Sequence, residues 1–478
     1  MPQSLKKQAF VGVAWSAVES FSVKGITFLI QIVLARLLVP ADYGIIGMLA
    51  IFMQVGQVFV DSGFANALIQ KKECTEDDYS TVFYYNLAIA VSLYLIFFFI
   101  APLVATFYEM ELLTSVMRVL SLVLIINALS IVHRTKLIKS INFKSQSIIS
   151  FTSALLSGAI GIAMAYYGLG VWALVWQQIL NSVFLFLLFF YFTRWKPSLV
   201  FSMEAFKPLF KYGSRLLGAS LLNQIYRNLY TIVIGKKFSA ENLGYYTRAE
   251  QFAIFPSHTL SAIVVKVAFP TLSKIQDDDQ KLRVAYRKII RLTSYIIFPL
   301  MVLVIALAEP FILFTLSAKW SAAIILLQIL CLDWMLDHLS GINLNLLYVK
   351  GRSDLALRLE VIKKTTAVAI LFASIPFGLI GMCWGRLVYS IFATIANSYY
   401  TERLISLSFF QQMRDILPYL LLSFIMGGVV YFVANIFDNS LVQLIVGSLT
   451  GIVVYSLLSW LFLNDIVNEL LQMIKNRK

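Results

Sequence analysis

The chain of 478 residues is 59% hydrophobic and only 13% charged, with a mean hydropathy of +0.80. A soluble protein carries about a quarter charged residues, so this composition excludes a soluble globular enzyme and indicates a polytopic membrane protein. The formal net charge of +14 does not predict nucleic-acid binding. The basic residues lie in short connections between apolar segments and are not gathered in one soluble domain.

Apolar segments of about 20 residues follow one another along the chain, each long enough to cross about 30 Å of hydrocarbon as a helix. They predict an all-α polytopic membrane protein with about fourteen transmembrane helices. The predicted spans are 10–38, 44–69, 81–106, 112–133, 148–166, 171–193, 210–235, 243–271, 288–308, 321–348, 361–378, 381–401, 416–436 and 441–463. The alternating polarity of membrane β-strands is absent from the sequence.

The residue types that metal sites and catalytic centres need are scattered. The three cysteines follow no metal-binding or disulfide spacing: Cys74, Cys331 and Cys383. The three histidines are equally far apart: His133, His258 and His338. The sequence therefore predicts no catalytic residue, no metal site and no cofactor.

Lysine and arginine residues gather in one of the two sets of connections between the predicted spans. The opposite set contains Lys236, Lys237 and Lys319. Cytoplasmic loops carry the excess of positive charge in membrane proteins. The pattern therefore predicts that both termini lie in the cytoplasm.

Two short sequence patterns recur about 200 residues apart, which indicates an internal repeat. The turn PADYG at 40–44 is matched by AENLG at 240–244, and YGLGVW at 167–172 is matched by FGLIGM at 377–382. They predict two pseudo-twofold six-helix lobes, 1–200 and 201–405, followed by residues 406–478 with two additional helices and a cytoplasmic tail. An even number of helices in each lobe keeps the lobes in the same orientation. We expect the repeated turn to be an architectural hinge, one in each lobe.

Several motifs in the first 180 residues or so resemble the signature of bacterial polysaccharide-unit flippases of the O-antigen and colanic-acid type. They are LARLLVPADYG at 34–44, DSGF at 61–64, ALIQ at 67–70, INFK at 141–144 and GLGVWALV at 168–175. These flippases belong to the multidrug/oligosaccharidyl-lipid/polysaccharide exporter superfamily.

The resemblance implies a transporter, not an enzyme. It would move undecaprenyl-diphosphate-linked oligosaccharide units across the bacterial cytoplasmic (inner) membrane by alternating access, for surface polysaccharide such as lipopolysaccharide. The implied partners are the lipid-linked glycan, the lipid bilayer, and a polysaccharide polymerase with its chain-length machinery. One alternative is a cation-coupled small-molecule or multidrug exporter of the same fold, which needs aromatic, acidic pockets. A membrane-embedded polymerase or ligase is disfavoured by the short outer loops.

Polar stripes on spans one, seven and eight predict a cationic cavity between the lobes, because residues at helical spacing share one face. The candidate substrate-binding residues are Lys24, Arg227, Arg215, Arg248, Lys266, Gln31, Asn223 and Gln224. Cations lining a wet cavity offset the cost of moving a diphosphate through the membrane, and the amides suit sugar hydroxyls. The alternative is that each cation pairs with a carboxylate of a neighbouring helix, such as Glu19, Asp61 or Glu250. Arg36, Arg118 and Arg386 are expected to be boundary or structural charges.

Carboxylates inside the spans are candidates for ion coupling. Asp333 and Asp337 are four residues apart in span ten, and two carboxylates in a low dielectric repel each other, which favours binding of a proton or sodium ion. The alternative is hydrogen bonding to a neighbouring span. Asp61 is the third candidate, and its alternative role is to anchor the end of its helix.

Overall fold

A computed structural model describes residues 22–61 and 63–466, together with residues 468 and 472. Every regular element in this part of the chain is helical, which confirms the predicted all-α fold. The first helix, α1, covers residues 22–37. The others are α2 (Pro40–Asp61), α3 (Phe64–Gln70), α4 (Glu76–Tyr108), α5 (Leu112–Leu120), α6 (Leu122–Lys139), α7 (Phe143–Tyr166), α8 (Val171–Thr193), α9 (Met203–Arg227), α10 (Leu229–Lys237), α11 (Ala240–Ser273), α12 (Asp279–Ala306), α13 (Ala308–Thr315), α14 (Ala323–Met335), α15 (Asp337–Val349), α16 (Ser353–Ser374), α17 (Gly378–Ile405), α18 (Phe409–Ala434) and α19 (Ser440–Phe462).

Within the described residues, 10 helical stretches are long and apolar enough to cross a membrane. One of them, Ser353–Ile405, contains two predicted spans. The predicted spans outside this set are 10–38, 210–235 and 243–271, and the first of these lies partly outside the described residues. The spans 210–235 and 243–271 carry predicted polar stripes, and those polar residues lower their hydropathy. Only the part of span 10–38 from residue 22 onward is described. The helices are consistent with about fourteen spans.

The predicted turn at Pro40–Gly44 is wrong in position, because these residues form the first turn of α2. Proline is tolerated there since the first N–H groups of a helix lack partners in any case. The Oδ2 atom of Asp42 accepts a hydrogen bond from the N–H of Val39 at 3.1 Å, so the break between α1 and α2 falls at residues 38–39. The repeated turn behaves in the same way, since α11 begins at Ala240.

Several spans predicted as single helices are interrupted. The span 44–69 ends as α2 at Asp61 and restarts as α3 after Gly63, whose φ of 70° requires the left-handed region. Span 321–348 is split between α14 and α15 at Leu336. Asp333 and Asp337 therefore belong to two consecutive helices, not to one continuous helix.

Contacts divide the chain into two compact units, residues 1–244 and 245–478. The predicted lobes, 1–200 and 201–405, follow the sequence repeat and stay a prediction. In the first unit, the start of α2 crosses the start of α11 with their backbones in contact. A Cβ atom on Gly44 would overlap the carbonyl oxygen of Ala240, and one on Gly244 would overlap that of Pro40. The two repeated turns thus meet through equivalent atoms, and glycine is required at both positions.

In the second unit, α12 and α18 are joined by a ladder of polar contacts, and the two residues of each contact are 128 positions apart in the sequence. Three arginines of α12 reach three residues of α18: Arg283 donates to Gln411, Arg287 to Asp415 and Arg291 to Tyr419. Since both sets of numbers rise together, the two helices run parallel. The ladder attaches the first of the two additional C-terminal helices to the rest of the unit.

Candidate functional site

A band of polar side chains in the first unit joins α2, α6 and α9, and we call it the polar groove. On α2 it contains three residues that share one face, and α6 and α9 supply its other walls. Its residues are Gln54, Gln57, Asp61, Asn127, Arg134, Ser220, Gln224 and Asn228.

Gln54 connects α2 to α9. Its Oε1 atom accepts hydrogen bonds from Asn228 Nδ2 at 2.9 Å and from Gln224 Nε2 at 3.3 Å. Asn228 is buried, with 6% of its surface exposed, at the break between α9 and α10. The predicted site residue Gln224 is therefore part of an amide cluster.

Gln57 connects α2 to α6. Its Oε1 atom accepts a hydrogen bond from Asn127 Nδ2 at 2.8 Å, and its Nε2 atom donates to Asp61 Oδ1 at 3.1 Å. The three side chains form a hydrogen-bonded chain that ends on a carboxylate. Carboxamide groups both donate and accept hydrogen bonds, so their hydrogen-bonding properties match those of sugar hydroxyls.

Two cavities lie along the groove. One, of about 200 Å³, is lined by Gln54, Gln57 and Gln178 together with apolar residues. The other, of about 380 Å³, lies where the ends of α2 and α3 meet α6 and α9, and Asp61, Arg134 and Ser220 line it. The groove therefore has space for a ligand at two levels.

Lys24 and Arg227, the two leading residues of the predicted cationic cavity, are both exposed. Lys24 lies on α1, outside the groove, and Arg227 is the last residue of α9, next to Asn228. Among the described residues, neither Lys24 nor Arg227 forms an ion pair. Pairing with a carboxylate, the alternative role for these cations, is thus not seen in the described part of the chain; Glu19 lies outside it.

The structure separates the remaining predicted binding residues. Asn223 is exposed on α9, and Gln31 is half-buried on α1. Arg248 is half-buried in the second unit and donates to Gln251 Oε1 at 2.6 Å. The side chains of Arg215 and Lys266 lie outside what the structure describes.

A buried charge cluster lies in the second unit, where Arg386 of α17 bridges two carboxylates. Its guanidinium contacts Glu250 of α11 and lies 2.9 Å from Asp333 Oδ2 of α14. Tyr246 accepts a further hydrogen bond from Arg386, and Ser390 donates to Asp333. Arg386 has the structural contacts expected of it, and Glu250 is one of the carboxylates expected to pair with a cation.

The three predicted coupling carboxylates have different surroundings. Asp333 is 4% exposed and is held by Arg386, which provides the hydrogen-bonding alternative to coupling. Asp337 is half-buried at the start of α15. Asp61 is exposed at the end of α2 and bonded by Gln57.

The sequence prediction missed Arg134 and Asn127 as site residues. The predicted span ended at residue 133, which left Arg134 in a loop, whereas α6 continues to Lys139. Asn127 and Arg134 are seven residues apart and so share a face of α6. That spacing was a usable signal once the longer helix was considered.

A family model described as polysaccharide biosynthesis protein matches residues 33–325, which is more than half of the chain. The chain belongs to this family. Among curated polysaccharide biosynthesis proteins, it is similar to the lipopolysaccharide biosynthesis protein WzxC of Escherichia coli K12, with 28% identity over 82% of this chain and 81% of the relative. It is 27% identical to the teichuronic acid biosynthesis protein TuaB of Bacillus subtilis 168, over 90% of this chain and 89% of the relative.

A third relative, the succinoglycan biosynthesis transport protein ExoT of Rhizobium meliloti 1021, is 25% identical over 98% of this chain and 95% of its own length. Two solved structures have the same fold as this family member. The lipid II flippase MurJ in an inward closed conformation has a TM-score of 0.76 at 17% identity, covering 95% of this chain and 100% of its own. An inward-facing MATE transporter of the MOP superfamily has a TM-score of 0.64 at 16% identity, covering 83% and 98%.

The family match confirms the predicted resemblance to proteins of polysaccharide biosynthesis, and the two solved structures share the fold of this chain. The chain is therefore a member of a polysaccharide biosynthesis family, and its described part contains 10 helical stretches that are long and apolar enough to cross a membrane.

Proposed function

We propose that this protein moves undecaprenyl-diphosphate-linked oligosaccharide units from the inner to the outer leaflet of the bacterial cytoplasmic membrane by alternating access. The observation that carries the proposal is the polar groove of the first unit, a band of amides that spans three helices and has space along it. The family match supports the class of polymer, and the transport role of ExoT and the flippase role of MurJ support a transport step.

The groove and two exposed cations of the first unit supply complementary chemistry. Carboxamides donate and accept hydrogen bonds, as sugar hydroxyls do. Lys24 and Arg227 are exposed and form no ion pair with a described residue, so their charge is available to a diphosphate. A multidrug exporter for organic cations would instead need an acidic, aromatic site, and the groove contains one carboxylate among amides.

The same proposal includes orientation and partners. Both termini lie in the cytoplasm, on the distribution of Lys and Arg among the loops. A polysaccharide polymerase and its chain-length machinery take up the unit on the outer side.

Ion coupling is a separate part of the proposal. Because Asp333 is already in an ion pair with Arg386, we assign coupling to Asp337 and Asp61, whose carboxylates form no ion pair among the described residues. In proteoliposomes, Asp337→Asn should abolish the stimulation of transport by a proton or sodium gradient. The matched variant Asp354→Asn, at an exposed ion pair with Arg352, should retain it. Gradient stimulation that survives in Asp337→Asn and in Asp61→Asn would remove this assignment.

The experiment that tests the proposed function is deletion of the gene in a strain without a redundant exporter. Undecaprenyl-linked units should accumulate in the inner leaflet and surface polysaccharide should be lost, and the wild-type gene should restore both. Normal surface polysaccharide in the deletion strain would contradict the proposal.

A further inference from the structure

The larger cavity of the first unit has a lining that differs from the rest of the polar groove. It lies between the end of α2, α3, α6 and α9 and has a volume of about 380 Å³. This volume is within the range of about 300–1,000 Å³ that small-molecule sites occupy. We call it the Arg134 pocket, and its polar lining consists of Asp61, Asn66, Arg134, Thr135 and Ser220.

The helix α3 is held so that Asn66 faces the pocket. Phe64, Ala67 and Leu68 are buried in a core with Trp195. The helical period then turns Asn66 to the opposite side, where it lines the cavity. The left-handed Gly63 allows the chain to turn from α2 into this position.

Two opposite charges face the pocket; they lie close enough to attract each other but form no salt bridge. Asp61 is on α2 and Arg134 is on α6, and both are exposed. Neither forms an ion pair with any residue that the structure describes. Among the described residues, Asp61 accepts one side-chain hydrogen bond, from the neutral amide of Gln57 at 3.1 Å, which leaves its second carboxylate oxygen as a further acceptor.

This pair of charges selects among ligand classes. A free inorganic anion would gain from Arg134 and be repelled by Asp61. A neutral sugar would satisfy Asp61, Asn66 and Ser220 and leave the guanidinium unused. A glycosyl phosphate satisfies both, because its phosphate accepts from the guanidinium and its hydroxyls donate to the carboxylate.

We propose that the Arg134 pocket binds the glycosyl phosphate end of the lipid-linked glycan, where the first sugar joins the phosphate. Arg134 binds the phosphate, and Asp61, Asn66 and Ser220 bind the hydroxyls of that sugar. The inference rests on the proposed function and adds a position to it, at the end of the groove away from Gln54 and Arg227. At that position the transporter would recognise the first sugar separately from the remaining glycan.

The test is calorimetric titration of the purified full-length protein with four probes: glucose 1-phosphate, glucose, inorganic phosphate and a water-soluble prenyl-diphosphate-linked glucose. Glucose 1-phosphate should bind at least about tenfold more tightly than glucose or phosphate, and the prenyl-linked probe at least as tightly as glucose 1-phosphate. Asp61→Asn and Arg134→Gln should each weaken glucose 1-phosphate binding about tenfold. Ser220→Ala, a smaller change at the same pocket, should weaken it less.

The matched controls are Asp354→Asn and Arg403→Gln in the second unit. Asp354 is an exposed partner of Arg352, and Arg403 lies over the ring of Tyr399, so the same chemical changes are made away from the pocket. Both should leave glucose 1-phosphate binding unchanged. Equal losses in the controls would mean that the effect is global, and this would overturn the proposal.

Other results would overturn it for stated reasons. Phosphate binding as tightly as glucose 1-phosphate would make the pocket a simple anion site, and glucose binding as tightly, unaffected by Arg134→Gln, would make it a neutral sugar site. If no probe binds, or if every probe except the prenyl-linked one binds, the pocket is not a site for the lipid-linked glycan. A transport assay on the wild type separates the two proposals, because transport without pocket binding contradicts only the pocket, whereas binding without transport contradicts only the flippase.

Discussion

At the scale of single residues, one side chain of α2 accepts two hydrogen bonds at the contact with α9. The Oε1 atom of Gln54 is the acceptor of both. Gln54→Leu removes the acceptor of both Asn228 and Gln224. Since Asn228 is buried, its unpaired N–H should lower the free energy of unfolding by about 1 to 3 kcal/mol. Thermal unfolding in detergent measures this, with Asn223→Leu as the matched control, because Asn223 is exposed and has no described hydrogen bond. Equal stability of the two variants would show that the cluster is not structural.

Glu109 gives a pH dependence that can be assigned to one residue. It lies beyond the end of α4, and its hydrogen bond to Lys236 at 2.8 Å lowers the pKa of its carboxyl, with the charge of Lys236 acting in the same direction. A lowered folded-state pKa means that the contribution to stability is present above the unfolded pKa of about 4.3 and is lost as the pH falls through the folded pKa.

The wild type should therefore be more stable than Glu109→Gln at pH 7, and the two should converge toward pH 3. The difference should be small, because the carboxylate is 82% exposed, and salt of about 1 M should reduce it further. Melting temperatures of both proteins at the two pH values measure it. A difference that is the same at pH 7 and pH 3 would contradict the assignment to this ion pair.

At the scale of elements, the crossing of α2 and α11 determines whether replacing Gly44 stabilises or destabilises the protein. Alanine in a helix is favoured over glycine by up to about 1 kcal/mol, so propensity alone predicts that Gly44→Ala stabilises the protein. The overlap of the new Cβ with the carbonyl of Ala240 opposes this, and forced repacking costs about 1 to 3 kcal/mol. We therefore expect Gly44→Ala to lower the unfolding temperature.

Gly218→Ala on α9 is the matched control, because nothing lies within 4 Å of its added Cβ. It should leave the unfolding temperature unchanged or raise it. A Gly44→Ala protein that unfolds at the same or a higher temperature than Gly218→Ala would show that the two helices are not in contact in solution.

The sequence predicted the helices better than their ends and interruptions. Hydrophobicity located nearly all of the membrane helices, because a lipid-length apolar run has few alternatives. It did not locate the break at Leu336. It also ended a span at residue 133, because the basic residues that follow lower the hydropathy, whereas α6 continues to Lys139. Pro40 was misread because proline disrupts a helix interior and favours a helix start, and only the hydrogen bond from Val39 to Asp42 distinguishes the two cases.

At the scale of the whole molecule, the family was predictable and the groupings of distant residues were not. The motifs at 34–44 and 168–175 are contiguous stretches, so they can be recognised in a single sequence. The joining of Arg386 to Glu250 and Asp333 brings together three helices, and helix periodicity carries no information about which neighbour a face meets. The polar face of Gln54, Gln57 and Asp61 was visible in the sequence, but its partners on α6 and α9 were not.

The predicted cationic cavity is tested by removing its two leading charges. Arg227→Ala and Lys24→Ala each delete an exposed cation that pairs with no described residue, so neither should lower the amount of folded protein in the membrane. If each cation contacts the diphosphate, each substitution should reduce transport about tenfold, and the double variant about a hundredfold if the contacts are independent. Complementation of a deletion strain with quantified surface polysaccharide measures this, and Arg403→Ala is the control for loss of a positive charge elsewhere. Full complementation by both single variants and by the double variant would mean that the diphosphate is held by other residues, and the Arg134 pocket would then be the first place to look for them.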